Sequence, residues 1–237
     1  MLNSLTMVGN YLTTGVRAVL RHKTHLALNL MGLTVGLASA LLILLYASYE
    51  LGFDKMHPNA GNTYRLEQYF ASMNQRFPVS SPAMKPLLQN YDERIRVTRF
   101  SSGAAPLRLS ENSQQLSLEW PLAVDSNITD FFAIEVLKGD LVATLAQPNQ
   151  IALAEHEAQR LFGSTDVINR QFQLGDQRYT VTAVFRLPLQ SHLQAGSLRR
   201  ISDKAVSASI RINNVYSYIH LPDDIDKTTL LSQLTST

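Results

Sequence analysis

Asp54, His57, Glu67 and His192 supply the imidazoles and carboxylates that a divalent metal site uses, and Ser191-His192 sets a hydroxyl beside a base. Those residue types can do chemistry if the fold brings them together. Their spacing, however, lacks the short ligand repeat that marks a metal site, so no metal ligand is assigned. The simpler reading is that Asp54 and His57 make local hydrogen bonds near the start of the large folded region, and that Ser191-His192 orders a loop. His156-Glu157 opens a zincin-like pattern, but residue 160 is Arg and the second imidazole is missing, which leaves a solvated helix face. No GxxxxGK[ST], GxGxxG or GxSxG string occurs, so the chain carries no cofactor-binding motif and should not hydrolyse ATP itself. The absence of cysteine removes disulfides, thiolate metal sites and a thiol nucleophile. Asn127-Ile128-Thr129 matches a glycosylation sequon, which would have no consequence were the chain bacterial. No catalytic residue is assigned, and an enzyme is not expected.

The elements that would position these residues are short. Thr63 to Phe70 alternates as a strand, with Tyr64, Leu66 and Phe70 on one face. Ser81-Pro82 opens a helical stretch to about Asn90, weakened by Pro86. Arg94 to Phe100, Gln115 to Trp120 and Ala133 to Leu137 read as strands, with a helical turn at Ile128 to Phe132. Ala154 to Phe162 reads as a helix stopped by Gly163. Gln171 to Leu174 and Arg178 to Phe185 flank Gly175-Asp176 as a hairpin, with Tyr179, Val181, Ala183 and Phe185 facing a core. Leu187 to Asp203 reads as a long loop and Val215 to Leu221 as a strand. Asp226 looks like an N-cap with Ile225 and Leu230 as its hydrophobic staple. The aromatic residues Tyr64, Phe70, Tyr179, Phe185, Tyr216 and Tyr218 read as core or sheet residues. Trp120 fits either a core or a binding surface. Short strands mixed with helices make the fold class α+β.

Leu26 to Tyr49 is 24 residues without a charge, enough as a helix for a hydrocarbon core of about 30 Å. A cleavable signal peptide would have a shorter apolar run with small residues after it; here Ala38-Ser39-Ala40 lies mid-run, which favours an uncleaved anchor. Arg17, Arg21 and Lys23 precede the span and place the N-terminus in the cytoplasm, with the remainder outside. Leu5, Val8, Leu12, Val16 and Val19 recur on one helical face, so residues 1–24 read as an amphipathic helix lying on the inner membrane surface. Gly32, Gly36 and Ala40 form a small-residue stripe along the span that lets another helix approach closely. Net charge is only +2 over 237 residues, with the other 18 basic and all 19 acidic residues lying beyond Tyr49. No basic stripe remains there to hold nucleic acid.

Several strings fall together in order. Gly32-Leu33-Thr34-Val35-Gly36 is followed by Tyr49-Glu50-Leu51-Gly52-Phe53-Asp54-Lys55-Met56-His57-Pro58-Asn59-Ala60 and Tyr64-Arg65. Asp130-Phe131-Phe132, Gly139-Asp140, Leu161-Phe162-Gly163 and Tyr179-Thr180-Val181-Thr182-Ala183-Val184-Phe185 come next, and then Pro188, Ser191-His192 and Tyr216-Ser217-Tyr218-Ile219. Over residues 10 to 237 the chain resembles the N-terminal portion of ABC-transporter permeases with a MacB-like periplasmic core domain, which are themselves similar to FtsX. Asp166-Val167-Ile168-Asn169 and Asp92-Glu93 depart from the family's pattern at local turns. The resemblance implies a cytoplasmic helix at 1–24, a transmembrane helix at 25–51 and a periplasmic α+β domain at 54–237. That domain has two subdomains, the inserted one at roughly 115–190. It implies an inner-membrane location, a cytoplasmic ABC ATPase and further permease helices as partners, a periplasmic adaptor, contact with lipid, and a homodimer.

Family permeases continue into at least three more spans, whereas no second hydrophobic span occurs before Thr237. Two functions therefore compete: the N-terminal part of an export or mechanotransmission permease, split or truncated, and a membrane-tethered interaction module without ATP coupling. A sensor input domain has no output segment to support it.

Overall fold

Helix α1 (Lys23–Leu51) runs for 29 residues, and none of them is buried by the rest of the chain. At 1.5 Å per residue it is about 43 Å long, which makes it long and apolar enough to cross a membrane. The Thr34 hydroxyl is satisfied internally: its Oγ1 donates to the Leu30 carbonyl at 2.7 Å. The computed structural model describes residues 23–103, 106–109, 115–202 and 213–235, with a few positions between 7 and 21. Those few, Arg17 and Arg21 among them, are helical and exposed. The apolar face expected of Leu5, Val8, Leu12, Val16 and Val19 lies outside the described residues.

Met1–Phe53 and Asp54–Thr237 are two compact units. In the second, the elements follow as β1 (Thr63–Arg65), β2 (Gln68–Phe70), β3 (Gln75–Phe77), α2 (Met84–Tyr91), β4 (Arg96–Ser102), β5 (Pro106–Leu109), β6 (Gln115–Ser117), β7 (Pro121–Val124), β8 (Glu135–Gly139), α3 (Leu141–Ala146), β9 (Gln150–Ala154), α4 (Glu155–Phe162), β10 (Gln171–Leu174), β11 (Gln177–Arg186), β12 (Ser197–Arg200), β13 (Tyr216–His220) and α5 (Lys227–Thr235). Short 3-10 turns lie at Ala60–Asn62 and Ile128–Asp130. One mixed sheet has the order β1-β13-β4-β7-β12-β9-β11-β10-β5-β6, with β8 also on β11; β2 and β3 form a separate hairpin. The architecture is α+β, as the strand and helix pattern implies.

The longest strand, β11, carries the packing. It pairs in parallel with β9 on one edge, and antiparallel with β10 and then β8 on the other. Against β9 its register slips between Val181 and Ala183, so Thr182 is an extra residue. An inserted residue reverses the side-chain alternation that follows it. Tyr179, Val181 and Val184 therefore enter one core with Ile151, Leu153 and Phe172, whereas Ala183 and Phe185 enter another with Phe131, Phe132 and Leu198. The expectation that Tyr179, Val181, Ala183 and Phe185 share one face is thus corrected: all four are buried, but on opposite faces.

Other differences have local causes. Thr63 to Phe70 is two strands, because after β1 the Leu66 amide still bonds the Ser217 carbonyl while β2 turns away to pair with β3. The 187–203 segment contains β12, whose Ser-Leu-Arg-Arg sequence shows no alternation. Pro86 is tolerated as the third residue of α2, where a helix has no acceptor for its N–H in any case. Gly163 ends α4 at φ 67, Gly175 turns the hairpin at φ 60, and Asp226 caps α5 through the Thr228 amide at 2.9 Å.

Gly139 ends β8 beside the inserted residue of β11, at φ +76, and a Cβ there would meet the Thr182 carbonyl oxygen at 2.0 Å. Gly139→Ala should therefore cost about 2–4 kcal/mol in stability. Gly61→Ala, whose Cβ would meet nothing within 4 Å, should stay within about 0.5 kcal/mol. Chemical denaturation of the two variants against the parent checks the contrast; equal midpoints would remove the strain from the bulge.

Candidate functional site

Five segments converge on a cleft of about 420 Å³ lined by Asp54, His57, Arg65, Glu67, Phe132 and Tyr218, among others. The leading loop brings Asp54 and His57, with Asp54 in the left-handed region at φ 59. The 187–196 loop brings Ser191 and His192, tied on by the Asp54 amide donating to the Gln190 carbonyl at 2.9 Å. The turn after Ile128–Asp130 contributes Phe131, Phe132 and the Ala133 amide. Strands β1 and β13 contribute Arg65 and Tyr218. Asp54, His57 and His192 thus come together as their residue types allowed. Glu67 shares the cleft but pairs with Arg65 at 2.9 Å instead.

The protons in this cluster can be assigned from one donor. The Ala133 backbone N–H donates to His57 Nδ1 at 3.1 Å, so Nδ1 is unprotonated and the ring proton sits on Nε2. That Nε2–H faces Asp54 Oδ1 and Ser191 Oγ, each at 3.1 Å. Asp54 also accepts the His192 amide on Oδ1 at 2.9 Å and the His192 Nδ1–H on Oδ2 at 2.7 Å. The far nitrogen of His192, Nε2, accepts the Tyr218 hydroxyl at 2.6 Å. Partial burial raises the Asp54 carboxyl, but the His192 amide, the His192 ring and then His57 together hold it below its ordinary value. Burial lowers the His57 imidazole, and Asp54 only partly offsets this. Tyr218 is pushed up to about 12, chiefly by burial, and so stays a neutral donor.

This tautomer removes two chemistries that the residue types suggest. Ser191, His57 and Asp54 are the components of a hydrolase triad, but there the carboxylate binds Nδ1 and the hydroxyl donates to an unprotonated Nε2. Here both partners share the protonated Nε2, so His57 cannot take the Ser191 proton. Asp54, His57 and His192 offer ligand atoms within 4.8 Å of one another. Yet a metal on His57 Nε2 would require a proton on Nδ1, opposite the Ala133 N–H. The arrangement fits a hydrogen-bonded joint between loops, and the residues do not fit a metal.

Two further buried polar clusters were not legible in the sequence. Asp125 is held by the Arg99 guanidinium at 2.9 and 3.0 Å and by Lys85 at 3.0 Å; burial raises its carboxyl, but Arg99 and Lys85 bring it below the usual range. Glu157 is fully buried and accepts from the Glu119 amide and Arg160, so it does not lie on a solvated face, whereas His156 does. Gly196 packs so close to this cluster that a Cβ would meet the Glu119 carbonyl oxygen at 2.1 Å. Trp120 stands exposed beside it at φ 44. Asn127 is committed to the Val97 carbonyl at 3.1 Å.

The sequence profile of the MacB-like periplasmic core domain matches residues 26–237. The chain belongs to that family. Three solved structures share the fold of the MacB-like domain. A domain of a protein described as a permease from Porphyromonas gingivalis is 20% identical, with a TM-score of 0.58, covering 68% of this chain and 71% of its own. The periplasmic region of MacB from Actinobacillus actinomycetemcomitans is 15% identical at a TM-score of 0.54, covering 74% and 81%. The extracellular domain of the noncanonic ABC-type transporter YknZ from Gram-positive bacteria is 16% identical at 0.50, covering 74% and 96%. No curated protein matches the sequence. The MacB-like domain of this chain is thus the periplasmic core domain of an ABC-type permease, preceded by one apolar helix.

A depressed Asp54 stabilises the MacB-like domain above its unfolded value of 3.8, and the contribution is lost as pH falls through the folded value. Asp54→Asn should therefore lower stability at pH 7 by about 1–2 kcal/mol. The deficit should shrink below pH 4, where the parent residue also loses its charge. Thermal unfolding of both proteins across that range tests this, and a deficit independent of pH would contradict the assignment.

Proposed function

We propose that this chain is the N-terminal part of an ABC-transporter permease of the export or mechanotransmission kind. In this reading α1 anchors a periplasmic domain that engages an adaptor or substrate, and ATP is hydrolysed by a separate cytoplasmic subunit. The observation that carries the proposal is the span of the family match, which begins inside α1 at residue 26 and runs to 237, so helix and domain belong to one family unit. The order of the sheet supports treating roughly 115–190 as an inserted piece: β1, β4 and β13, from the two ends of the domain, are neighbours, and most of the intervening strands extend the sheet from β4.

Arg17, Arg21 and Lys23 direct the N-terminus to the cytoplasm in this reading. Because the chain has no cysteine, single replacements report topology cleanly. Ser72→Cys in intact cells should react with a membrane-impermeant maleimide, and Met7→Cys only after permeabilisation. The reverse pattern would overturn the orientation.

Gly32, Gly36 and Ala40 are the proposed seat for another permease helix. A Cβ at Gly32 or Gly36 would meet nothing within 4 Å in this chain. Gly32→Ile with Gly36→Ile should leave the thermal unfolding of the domain unchanged and cut co-purification with the ATPase and a second membrane polypeptide by about tenfold, equivalent to about 1.4 kcal/mol of helix packing. Undiminished recovery of both would move the helix contact elsewhere. If the parent protein recovers neither, the permease reading fails, and a tethered interaction module remains.

A further inference from the structure

The His57 ring is surrounded so that one protonation state fits and the other does not. It is 8% exposed and meets Phe132 edge-on at 5.1 Å and His192 at 6.2 Å. Its Nδ1 receives the Ala133 N–H, a main-chain donor that cannot rotate away. A proton on Nδ1 would set two N–H groups against each other, and either the ring or the 131–133 turn would have to move. His192 is different. Its Nδ1–H already donates to Asp54, and its Nε2 faces a hydroxyl that can accept as readily as donate. Of the two imidazoles, only His57 is incompatible with its own cation.

The ring also joins three segments distant in sequence: its own leading loop, the 131–133 turn through Ala133, and the 187–196 loop through Ser191. We propose that His57 is a proton-operated latch: proton uptake at Nδ1 breaks its bond to Ala133 and releases the leading loop from the 131–133 turn in mildly acidic surroundings. The leading loop continues the chain from α1, so the latch sets how firmly the start of the domain is held.

The groups that face His57 set the sign. On its own loop the Asp54 carboxylate favours the proton. From the 187–196 loop His192 opposes it, and Ser191 is neutral. From β1, Arg65 and Glu67 line the same cleft and pair with each other. From β13, Tyr218 acts through His192, and the 131–133 turn offers only the Phe132 ring and the Ala133 amide. Burial outweighs Asp54, so folded His57 holds its proton less well than the ordinary value of 6.5. The stabilisation is complete above pH 6.5 and declines as pH falls from there towards the folded value.

Hydrogen exchange of the full chain in detergent tests the latch without an ATPase or any partner, so its failure is separate from failure of the permease reading. With rates corrected for the intrinsic pH dependence of amide exchange, protection of residues 131–135 should fall about three- to tenfold between pH 7 and pH 5, the loss expected for one net hydrogen bond. Protection of β9 should hold. In His57→Gln the pH dependence of 131–135 should disappear. Constant protection in the parent, or an unchanged dependence in the variant, would overturn the proposal. Should the variant fail to fold, ring nitrogen shifts of histidine-labelled parent protein decide the matter: at pH 7.5 the Nε2–H tautomer of His57 is required, and the Nδ1–H tautomer would refute it.

Discussion

Thr182 is the extra residue that β11 carries against β9, and the packing of Asp54–Thr237 is built around it. Before the bulge β11 faces the core that contains Phe172; after it, alternate residues face the core that contains Phe131 and Phe132. One strand can then serve two cores. The outer edge of β11 accommodates the same irregularity, because β10 covers its first half and β8 its second. Gly139 is the residue of β8 that lies against the inserted carbonyl. Phe185, delivered to the second core by the bulge, fixes the end of β11, and from that end the 187–196 loop departs for the cleft. The position of His192 is thus a downstream consequence of one inserted residue.

Three carboxylates do similar work at separate places. Asp54 gathers the leading loop and the 187–196 loop. Asp125 ties the end of β7 to β4 and to α2 through Arg99 and Lys85. Glu157 ties α4 to the turn before β7. In each case an acceptor-only group collects donors from separate segments; for Asp125 one of these is β4, the strand already paired with β7 beside it, and the other is α2. Burying such a group carries a desolvation cost, and that cost is offset only when its partners are in place. The consequence is specificity more than stability, since a loop in the wrong position would leave a charge unpaired. Reactivity is suppressed for the same reason. Donors already occupy both oxygens of Asp54, and the proton of His57 is fixed by a main-chain amide.

Legibility followed the range of the physical signal. Gly163, the Gly175 turn and the Asp226 cap act within one helical turn or one hairpin, and their residues stand next to each other in the chain. Strand β11 was legible as a strand, but its bulge was not, since the register depends on what β9 presents. Strands β7, β9 and β12 were missed because buried central strands read as short apolar or mixed runs without alternation. In the site, Asp54, His57 and His192 were noticed by type; the local bond expected between Asp54 and His57 is present, but their other bonds reach Ala133, Ser191 and His192 far along the chain, which no local signal announces. The deciding group, the Ala133 amide, has no side-chain signature at all. Arg99 with Asp125 and Glu157 with Arg160 carried no signal because exposed and buried charges look alike in a sequence.

Helix and domain differ in what they leave unsatisfied. The polar cluster at the start of the MacB-like domain pairs its own donors and acceptors. Its buried apolar side chains form cores of its own, while Tyr69, Met73, Trp120, Val142 and Leu189 stay exposed. Helix α1 is the opposite case, with no residue buried by the chain and a row of small residues open along one side. Lipid can solvate its leucines, but lipid gains nothing particular from Gly32 and Gly36, which cost conformational entropy and add no apolar area. Such residues are useful where a second backbone must come close. Among the described residues, none of α1 is buried, whereas the domain has cores of its own and presents Trp120 on its surface.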